Sequence, residues 1–178
     1  MTSTLTVIGI DPGLAATGFG IVCGRGMAVE RFRYGMVRTP AATALPERLD
    51  QIFSALHRIL QQEQPDLMVV EDVFSLDRYP KSGITLGKVT GVILVAGCRF
   101  GIPVAEIPVR EAKRVLTGNG NASKSQLERA VRRLLNVRDP IKPDHASDAL
   151  GLAVIGLSRY GDRHRLGRKG PGRRRTAI

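Results

Sequence analysis

Short apolar segments separated by turn-forming residues open the chain. Residues 5–10 are apolar and are followed by Asp11-Pro12-Gly13, and residues 18–22 form a second apolar segment. This pattern predicts a β-hairpin, because Pro and Gly impose a turn where the first strand ends. Residues 29–37 alternate apolar and polar side chains and predict a third strand. The chain is therefore expected to begin with three antiparallel strands.

The rest of the chain combines helical and strand patterns. Apolar residues at spacings of three and four predict a helix over residues 45–60. Residues 67–70 form a short apolar segment that Glu71 ends, which is typical of a strand in a parallel sheet. Further helices are predicted over residues 83–100, 110–116, 123–135 and 144–160, and a further strand over residues 103–107. This order predicts an α/β fold, a mixed five-stranded sheet flanked by helices.

Two of the predicted helices carry start signals. Ser123 and Gln126 have the spacing of a capping box, in which each side chain bonds the backbone of the other residue. Asp144 follows Pro143 and is the expected N-cap of the last helix.

The helix predicted over residues 83–100 contains a stripe of glycines. Gly83, Gly87 and Gly91 are four residues apart and share one helical face, although each costs about 1 kcal/mol relative to Ala. Missing side chains allow another backbone to approach closely. Either the protein's own sheet or a partner subunit could pack there, and the sequence leaves both open.

The charge of the chain favours a polyanionic partner. There are 27 Lys and Arg against 16 Asp and Glu, a formal net charge of +11, which points to nucleic acid. Residues 162–178 hold seven Lys or Arg against one Asp, so they carry 7 − 1 = +6 and leave 11 − 6 = +5 for residues 1–161. We expect one folded domain over residues 1–161 and a basic, disordered tail over residues 162–178.

The cysteines and the hydropathy exclude several classes. Cys23 and Cys98 lie far apart and form no CxxC pair, so neither a zinc site nor a disulfide framework is indicated. Both are expected to be buried in a reduced protein. Uninterrupted apolar segments are shorter than the roughly 18 residues that a membrane helix needs. A cytoplasmic protein without a membrane association is expected.

Four residues could form a catalytic centre. Asp11 and Glu71 each follow a buried strand, while His145 and Asp148 are three residues apart on one face of the last helix. Taken singly, Asp11 could merely stabilise a turn, Glu71 could point to water, and His145 could be a surface residue. Together, close carboxylates repel unless a cation lies between them. Oxygen ligands suit Mg²⁺ or Mn²⁺, and a pair of such ions supports phosphodiester hydrolysis.

Four segments carry motifs of one family: Ile8-Gly9-Ile10-Asp11-Pro12-Gly13 with Thr17-Gly18, Val70-Glu71-Asp72-Val73-Phe74, Ala122-Ser123-Lys124-Ser125-Gln126 and Asp144-His145-Ala146-Ser147-Asp148-Ala149-Leu150. They resemble the segments of RuvC-type Holliday junction resolvases, and the resemblance covers nearly the whole chain up to about Tyr160. The resemblance implies a ribonuclease H-like fold and a homodimer that binds four-way junction DNA. It also implies Mg²⁺-dependent cutting of two opposed strands in recombination and repair, with two ions per site and Mn²⁺ as a substitute. The RuvA and RuvB branch-migration complex is an expected partner.

The same resemblance assigns roles to individual residues. It makes Asp11, Glu71 and Asp148 catalytic, metal-binding carboxylates. His145 stands where some members of the family have a fourth acid. Because neutral imidazole removes a negative charge and supplies a softer nitrogen ligand, we hypothesise that His145 favours Mn²⁺ relative to an all-carboxylate site.

The resemblance also implies DNA-binding residues. Phe74 matches an aromatic that stacks on an unpaired base, and Lys113 and Lys124 match positions that face phosphates. Without the resemblance, Phe74 would be assigned to core packing and the lysines to solvated surface. Three further cationic residues are expected to add a phosphate-tracking surface: Arg78, Lys81 and Lys88.

Other functional classes remain as alternatives. ATP-handling proteins of the actin and sugar-kinase type also place an Asp-x-Gly after a first strand, but they generally need a duplicated, much longer chain. A non-catalytic junction or RNA binder would use the basic surface and leave the acids incidental. A ribonuclease H-like RNA-processing nuclease would use the same metal chemistry on another substrate.

Overall fold

The fold is a single sheet with helices on both faces. The computed structural model describes residues 4–72 and 80–160, so the predicted tail over residues 162–178 lies outside the described residues. The strands are β1 (Leu5–Asp11), β2 (Ala16–Arg25), β3 (Ala28–Arg38), β4 (Leu67–Asp72) and β5 (Val104–Pro108). The helices are α1 (Leu45–Glu63), α2 (Pro80–Arg99), α3 (Val109–Thr117), α4 (Lys124–Leu134) and α5 (Asp144–Tyr160).

The sheet is mixed, as predicted. Its strand order is β3-β2-β1-β4-β5. The β1–β2 and β2–β3 pairs are antiparallel, whereas β1–β4 and β4–β5 are parallel. The carboxyl ends of β1, β4 and β5 therefore meet at one edge of the sheet, where ligands of such sheets tend to bind. The predicted mixed five-stranded sheet is confirmed.

Two cores lie on opposite faces of the sheet. Because side chains alternate along a strand, Val7 of β1 packs in the core below α5, whereas Ile8 and Ile10 pack in the core below α1 and α2. The same alternation places Val69 of β4 in the α5 core and Val70 in the other. Asp11 and Glu71 follow Val7 and Val69 at even spacing and therefore lie on the α5 side.

Glycines in β1 and β2 let α5 pack directly on the sheet. A Cβ atom at Gly20 would lie 2.5 Å from the Leu150 nitrogen, and one at Gly9 or Gly18 would collide with the carbonyl oxygen of Ala149 or His145. No larger residue fits at this distance from the helix backbone. The close approach holds the first turn of α5 over the ends of β1 and β2.

One face of α2 is buried and the other is open. Val89, Ile93 and Ala96 are almost fully buried against the core. On the opposite face, a Cβ atom at Gly87 or Gly91 would meet nothing within 4 Å. These two glycines therefore do not pack against the protein's own sheet, which removes one of the two interpretations of the stripe.

The segment Lys81–Arg99 of α2 is long and apolar enough to cross a membrane by length and composition, with a mean hydropathy of 1.2. A single helix of this kind is weak support for a membrane span, because core helices of globular domains have the same composition. The buried face of α2 assigns it to the domain core, and Lys88 interrupts its apolar surface.

Two expectations about single residues are wrong. Asp144 is the first residue of α5 rather than its N-cap, because the Pro143 carbonyl already accepts bonds from the Ala146 and Ser147 amides at 2.9 and 3.3 Å. Its charge still lies in the first turn, where the helix dipole favours an acid. Cys98 is exposed because it lies on the outward face of α2, whereas Cys23 is buried as expected.

The capping box of α4 is confirmed. The Gln126 amide donates to Ser123 Oγ at 3.2 Å, and the Ser123 amide donates to Gln126 Oε1 at 2.8 Å. These bonds satisfy two backbone donors that the first turn of a helix leaves free. They fix the start of α4 directly before Lys124.

Strand β3 forms an outer edge of the sheet and pairs only with β2 among the described residues. Its register is interrupted between Cys23 and Gly24, which marks a bulge in the pairing. Arg31 and Arg33 are exposed along this strand, and Arg33 pairs with Glu63 of α1 at 2.7 Å.

Candidate active site

Four predicted site residues meet at the carboxyl edge of the sheet. Asp11 ends β1 and Glu71 is the last residue but one of β4, while His145 and Asp148 lie in the first turns of α5. They line one cleft of about 160 Å³. The structure therefore brings together residues that are far apart in the chain, on the face of the sheet that α5 covers.

A short hydrogen bond joins the first strand to the last helix. His145 Nδ1 and Asp11 Oδ2 are 2.5 Å apart, and Asp11 is only 8% exposed. The hydrogen bond with Asp11 raises the pKa of His145, because the carboxylate favours the charged imidazole. Its Nε2 makes no hydrogen bond to any described residue and could serve as a ligand atom.

Burial and mutual repulsion raise the pKa values of the other two acids. Burial, followed by the charges of Asp11 and Asp148, raises the pKa of Glu71 to about 7. Burial and the charge of Asp11 raise the pKa of Asp148 to about 6. Lys124 opposes this effect at both residues, and Lys113 opposes it at Glu71, in each case only in part. Such a concentration of carboxylates is stable in its ionised form only with further positive charge.

The donor set fits divalent cations that the substrate helps to bind. Among the residues that the structure describes, no three His, Cys, Asp or Glu side chains form a complete ion site. Mg²⁺ commonly binds one or two protein carboxylates and takes its other ligands from water and substrate phosphates. Carboxylates that converge on one cleft without enclosing an ion match this mode of binding.

The turn after β1 is braced by a residue whose role the sequence did not show. Thr17 is fully buried, and its Oγ1 donates to the Gly13 carbonyl at 2.7 Å. This bond closes the turn that starts at Asp11 and so positions its carboxylate. The sequence signal for this role was Thr17 itself, a polar residue at the start of an otherwise apolar strand.

The cleft also has an apolar wall that the sequence did not predict. Val109, Ala112 and Leu116 of α3 line it, together with Leu127 of α4 and Leu152 of α5. Their helical spacing identified them only as core residues. Apolar walls lower the dielectric around the carboxylates and strengthen their interaction with cations.

The predicted DNA-binding residues separate into three groups. Lys113 and Lys124 line the same cleft as the acids. Lys81 and Lys88 are exposed on α2 and do not line it. Phe74 and Arg78 lie outside the described residues.

Comparison with known proteins decides the family. Residues 7–156 match the family model of crossover junction endodeoxyribonuclease RuvC. The chain belongs to the RuvC family. The crossover junction endodeoxyribonuclease RuvC of Syntrophomonas wolfei is 38% identical over 156 residues, which are 88% of this chain and 90% of that protein. That of Brevibacillus brevis is 37% identical over 150 residues, which are 84% of this chain and 90% of that protein.

Solved structures of RuvC proteins share the fold. RuvC of Thermus thermophilus in complex with Holliday junction substrate aligns with a TM-score of 0.81 and 28% identity, over 92% of this chain and 96% of that one. The yeast mitochondrial Holliday junction resolvase aligns with a TM-score of 0.59 and 13% identity, over 91% of this chain and 81% of that one, and shows the fold alone. The predicted ribonuclease H-like class is confirmed, and nucleases of this family are metal-dependent.

Proposed function

We propose that this RuvC protein resolves Holliday junctions at the centre formed by Asp11, Glu71, His145 and Asp148, by paired hydrolysis of phosphodiester bonds in opposed strands. The observation that carries this assignment is the shared cleft of the four side chains, in which burial and repulsion raise the pKa of two carboxyl groups. Membership of the RuvC family supports the substrate.

Mg²⁺ is the proposed cofactor, with two ions per site and Mn²⁺ as a substitute. Asp11, Glu71 and Asp148 supply the hard oxygen ligands that Mg²⁺ prefers, and His145 supplies a nitrogen ligand. The bound ions would activate water and stabilise the leaving 3′ oxygen. In their absence, the raised pKa of Glu71 and the Asp11–His145 hydrogen bond reduce the negative charge of the site.

Cationic residues of the cleft would position the DNA backbone. Lys113 and Lys124 face the acids across the cleft and could bind the scissile phosphate or its neighbour. Phe74 is proposed to stack on an unpaired base, and Arg78, Lys81 and Lys88 to bind phosphates outside the cleft. Backbone contacts of this kind supply affinity rather than sequence preference.

A homodimer through α2 would supply the second cut. Ile84 is 63% exposed and Val95 is 50% exposed, on the face of α2 that carries Gly87 and Gly91. An apolar face with small residues allows two helices to pack closely, and a second copy of this chain is the proposed occupant. Two symmetric incisions across a junction need two equivalent sites, which a two-fold dimer provides.

The cytoplasm is the proposed location of the protein, because a nuclease of recombination and repair must have access to the DNA that recombines. The RuvA and RuvB branch-migration complex is its proposed partner, since these proteins would move the junction that it cuts.

A substrate panel tests the proposal. The protein is incubated with a synthetic four-way junction, linear duplex and RNA–DNA hybrid, each with Mg²⁺, Mn²⁺ or chelator. We expect paired nicks in the junction only, and only with metal. Asp11→Asn should bind the junction but lose cleavage by orders of magnitude, whereas Asp50→Asn, on the exposed side of α1, should cut normally. Preferred cleavage of the hybrid would identify an RNA-processing nuclease, and full activity of Asp11→Asn would rule out this centre.

A further inference from the structure

The positive charge of the folded domain is concentrated in one segment. Residues 109–142, which include α3 and α4, contain nine Lys or Arg and three Asp or Glu, so they carry 9 − 3 = +6. Residues 1–161 together carry +5, so the residues of this range that lie outside 109–142 carry 5 − 6 = −1. The nine are Arg110, Lys113, Arg114, Lys124, Arg129, Arg132, Arg133, Arg138 and Lys142. The α3–α4 unit is therefore the basic part of the domain.

The acids of this segment leave most of its charge unpaired. Glu111 pairs with Arg159 of α5, and Glu128 pairs with Arg132 at 3.4 Å and also accepts the Ile141 amide. Within residues 4–72 and 80–160, neither Arg114 nor Arg133 forms a side-chain ion pair or hydrogen bond. Their guanidinium groups remain available to a ligand.

Arg129 and Arg133, two of the nine cationic residues, line a groove on the outer side of α3 and α4. It has a volume of about 430 Å³, and its lining residues are Leu116, Thr117, Asn119, Ala122, Gln126, Arg129, Ala130, Arg133 and Leu134. Arg129 and Arg133 are four residues apart and lie on one stripe of α4. At about 100° per residue around the helix axis, Arg129 lies about 140° and Arg133 about 180° from Lys124. The groove is therefore distinct from the cleft that holds Lys124 and the catalytic residues.

We infer that this groove, with Arg114 beside it, binds the phosphate backbone of a junction arm away from the strand that is being cut. The inference rests on the proposed function, because a branched substrate has arms in addition to the one whose strand occupies the cleft. The side-chain amides of Asn119 and Gln126 add N–H donors for phosphate oxygens, because among the described residues only their oxygen atoms form hydrogen bonds.

The charge continuity favours DNA over an acidic protein segment. Lys113 and Lys124 lie on the cleft side of the same two helices, so cationic side chains run from the cleft around the unit to the groove. Lys124 and Arg133 are nine residues apart, about 14 Å along α4 at 1.5 Å per residue.

Junction binding by an Arg129→Gln/Arg133→Gln variant tests the inference. Dissociation constants are measured in chelator over a range of salt concentrations, beside Arg58→Gln as a control in exposed α1 and Arg129→Lys/Arg133→Lys as a charge-preserving control. Removal of one cation that neutralises a DNA phosphate should reduce the slope of log affinity against log salt by about 0.9. The Gln variant should therefore have a slope that is smaller by about 2 and bind roughly tenfold more weakly, while both controls keep the native slope.

The length of the arms supplies a second readout. The junction arms are shortened from about two helical turns to about half a turn and capped by hairpin loops. The defect of the Gln variant should disappear on the shortest arms, on which the native protein still cuts. An unchanged salt slope with long arms, or a defect that persists on the shortest arms, would overturn the inference and leave the groove to an acidic protein segment. If the native protein cut no junction at all, the proposed function itself would fail.

Discussion

Asp11 Oδ2 and His145 Nδ1 lie 2.5 Å apart although 134 residues separate them in the chain. This hydrogen bond ties the end of the central strand to the first turn of the last helix. It gives the site an internal partner for one carboxylate, whereas burial and repulsion raise the pKa values of Glu71 and Asp148. A histidine rather than an acid at position 145 thus sets both the charge and the ligand chemistry of the centre.

His145→Asp tests the metal preference of the site. The variant replaces a nitrogen ligand by an oxygen ligand and adds a negative charge, so the ratio of Mn²⁺-supported to Mg²⁺-supported cleavage should fall. His145→Asn separates the two changes, because it removes the nitrogen ligand without adding charge. The measurement is the initial rate of junction cleavage at saturating metal. Identical ratios for the native protein and His145→Asp would contradict the hypothesis.

Glu71→Gln should stabilise the metal-free protein at alkaline pH. The pKa of Glu71 is about 7 in the folded protein and about 4.5 when unperturbed. Between pH 4.5 and pH 7 the unfolded chain releases a proton that the folded state retains, so the free energy of unfolding falls as pH rises. This loss of stability is complete above pH 7 and absent near pH 4. We expect a gain on the order of 1–3 kcal/mol at pH 8 and little change at pH 4.

Thermal unfolding in chelator measures this effect. Glu106→Gln, on the exposed part of β5, is the matched control and should show no such pH dependence. Added Mg²⁺ should stabilise the native protein and reduce the advantage of the variant, because the ion binds only the folded site. A variant that is less stable than the native protein at pH 8 would show that Glu71 makes a stabilising contact as a carboxylate.

Gly18→Ala should damage the active site through packing. The added methyl group would collide with the His145 carbonyl, so α5 must shift away from β2. Overpacking of this kind costs about 1–3 kcal/mol, and here it also moves a site residue. Gly97→Ala is the control, because its methyl group would meet side-chain atoms of Val104 and Met68 on the other face of the sheet.

Both glycine variants should lower the melting temperature, but only Gly18→Ala should raise the metal concentration needed for half-maximal cleavage. Metal titrations of junction cleavage at a temperature where both variants are folded measure this difference. Equal metal dependence in the two variants would show that α5 tolerates displacement.

Ile84→Asp should separate the proposed dimer. It places a charge in the apolar face of α2, where burial against a second subunit would require its desolvation even beside Lys88. Met27→Asp is the control, since Met27 is 52% exposed in the turn between β2 and β3. Light scattering at micromolar concentration should give a monomeric mass for Ile84→Asp alone, with loss of paired nicks. A dimeric mass for Ile84→Asp would place the subunit contact elsewhere.

Local patterns predicted much of the fold and the placement of the site. The apolar segments of β1 and β4 and the apolar spacing of α1 are visible in the sequence because each depends on neighbouring residues. The convergence of Asp11 and Glu71 followed from two strands that end at one edge. The capping box of Ser123 and Gln126 is equally local.

Other features depend on tertiary packing and were not predictable. The Asp11–His145 hydrogen bond and the raised pKa of Glu71 arise from burial that only the folded chain creates. Residue type alone places Cys98 in the interior, but the outward face of α2 decides its exposure. The expected N-cap at Asp144 is wrong by one residue because the Pro143 carbonyl can start a helix without a side-chain cap.

The outer edge of the sheet bears on how the protein behaves at high concentration. Strand β3 is 11 residues long and offers backbone groups that another molecule could continue into a shared sheet. Arg31 and Arg33 would bring like charges together in such a contact, and the bulge beside Gly24 bends the edge. We therefore expect both features to disfavour fibrous association through β3, which pairs with no second strand within residues 4–72 and 80–160.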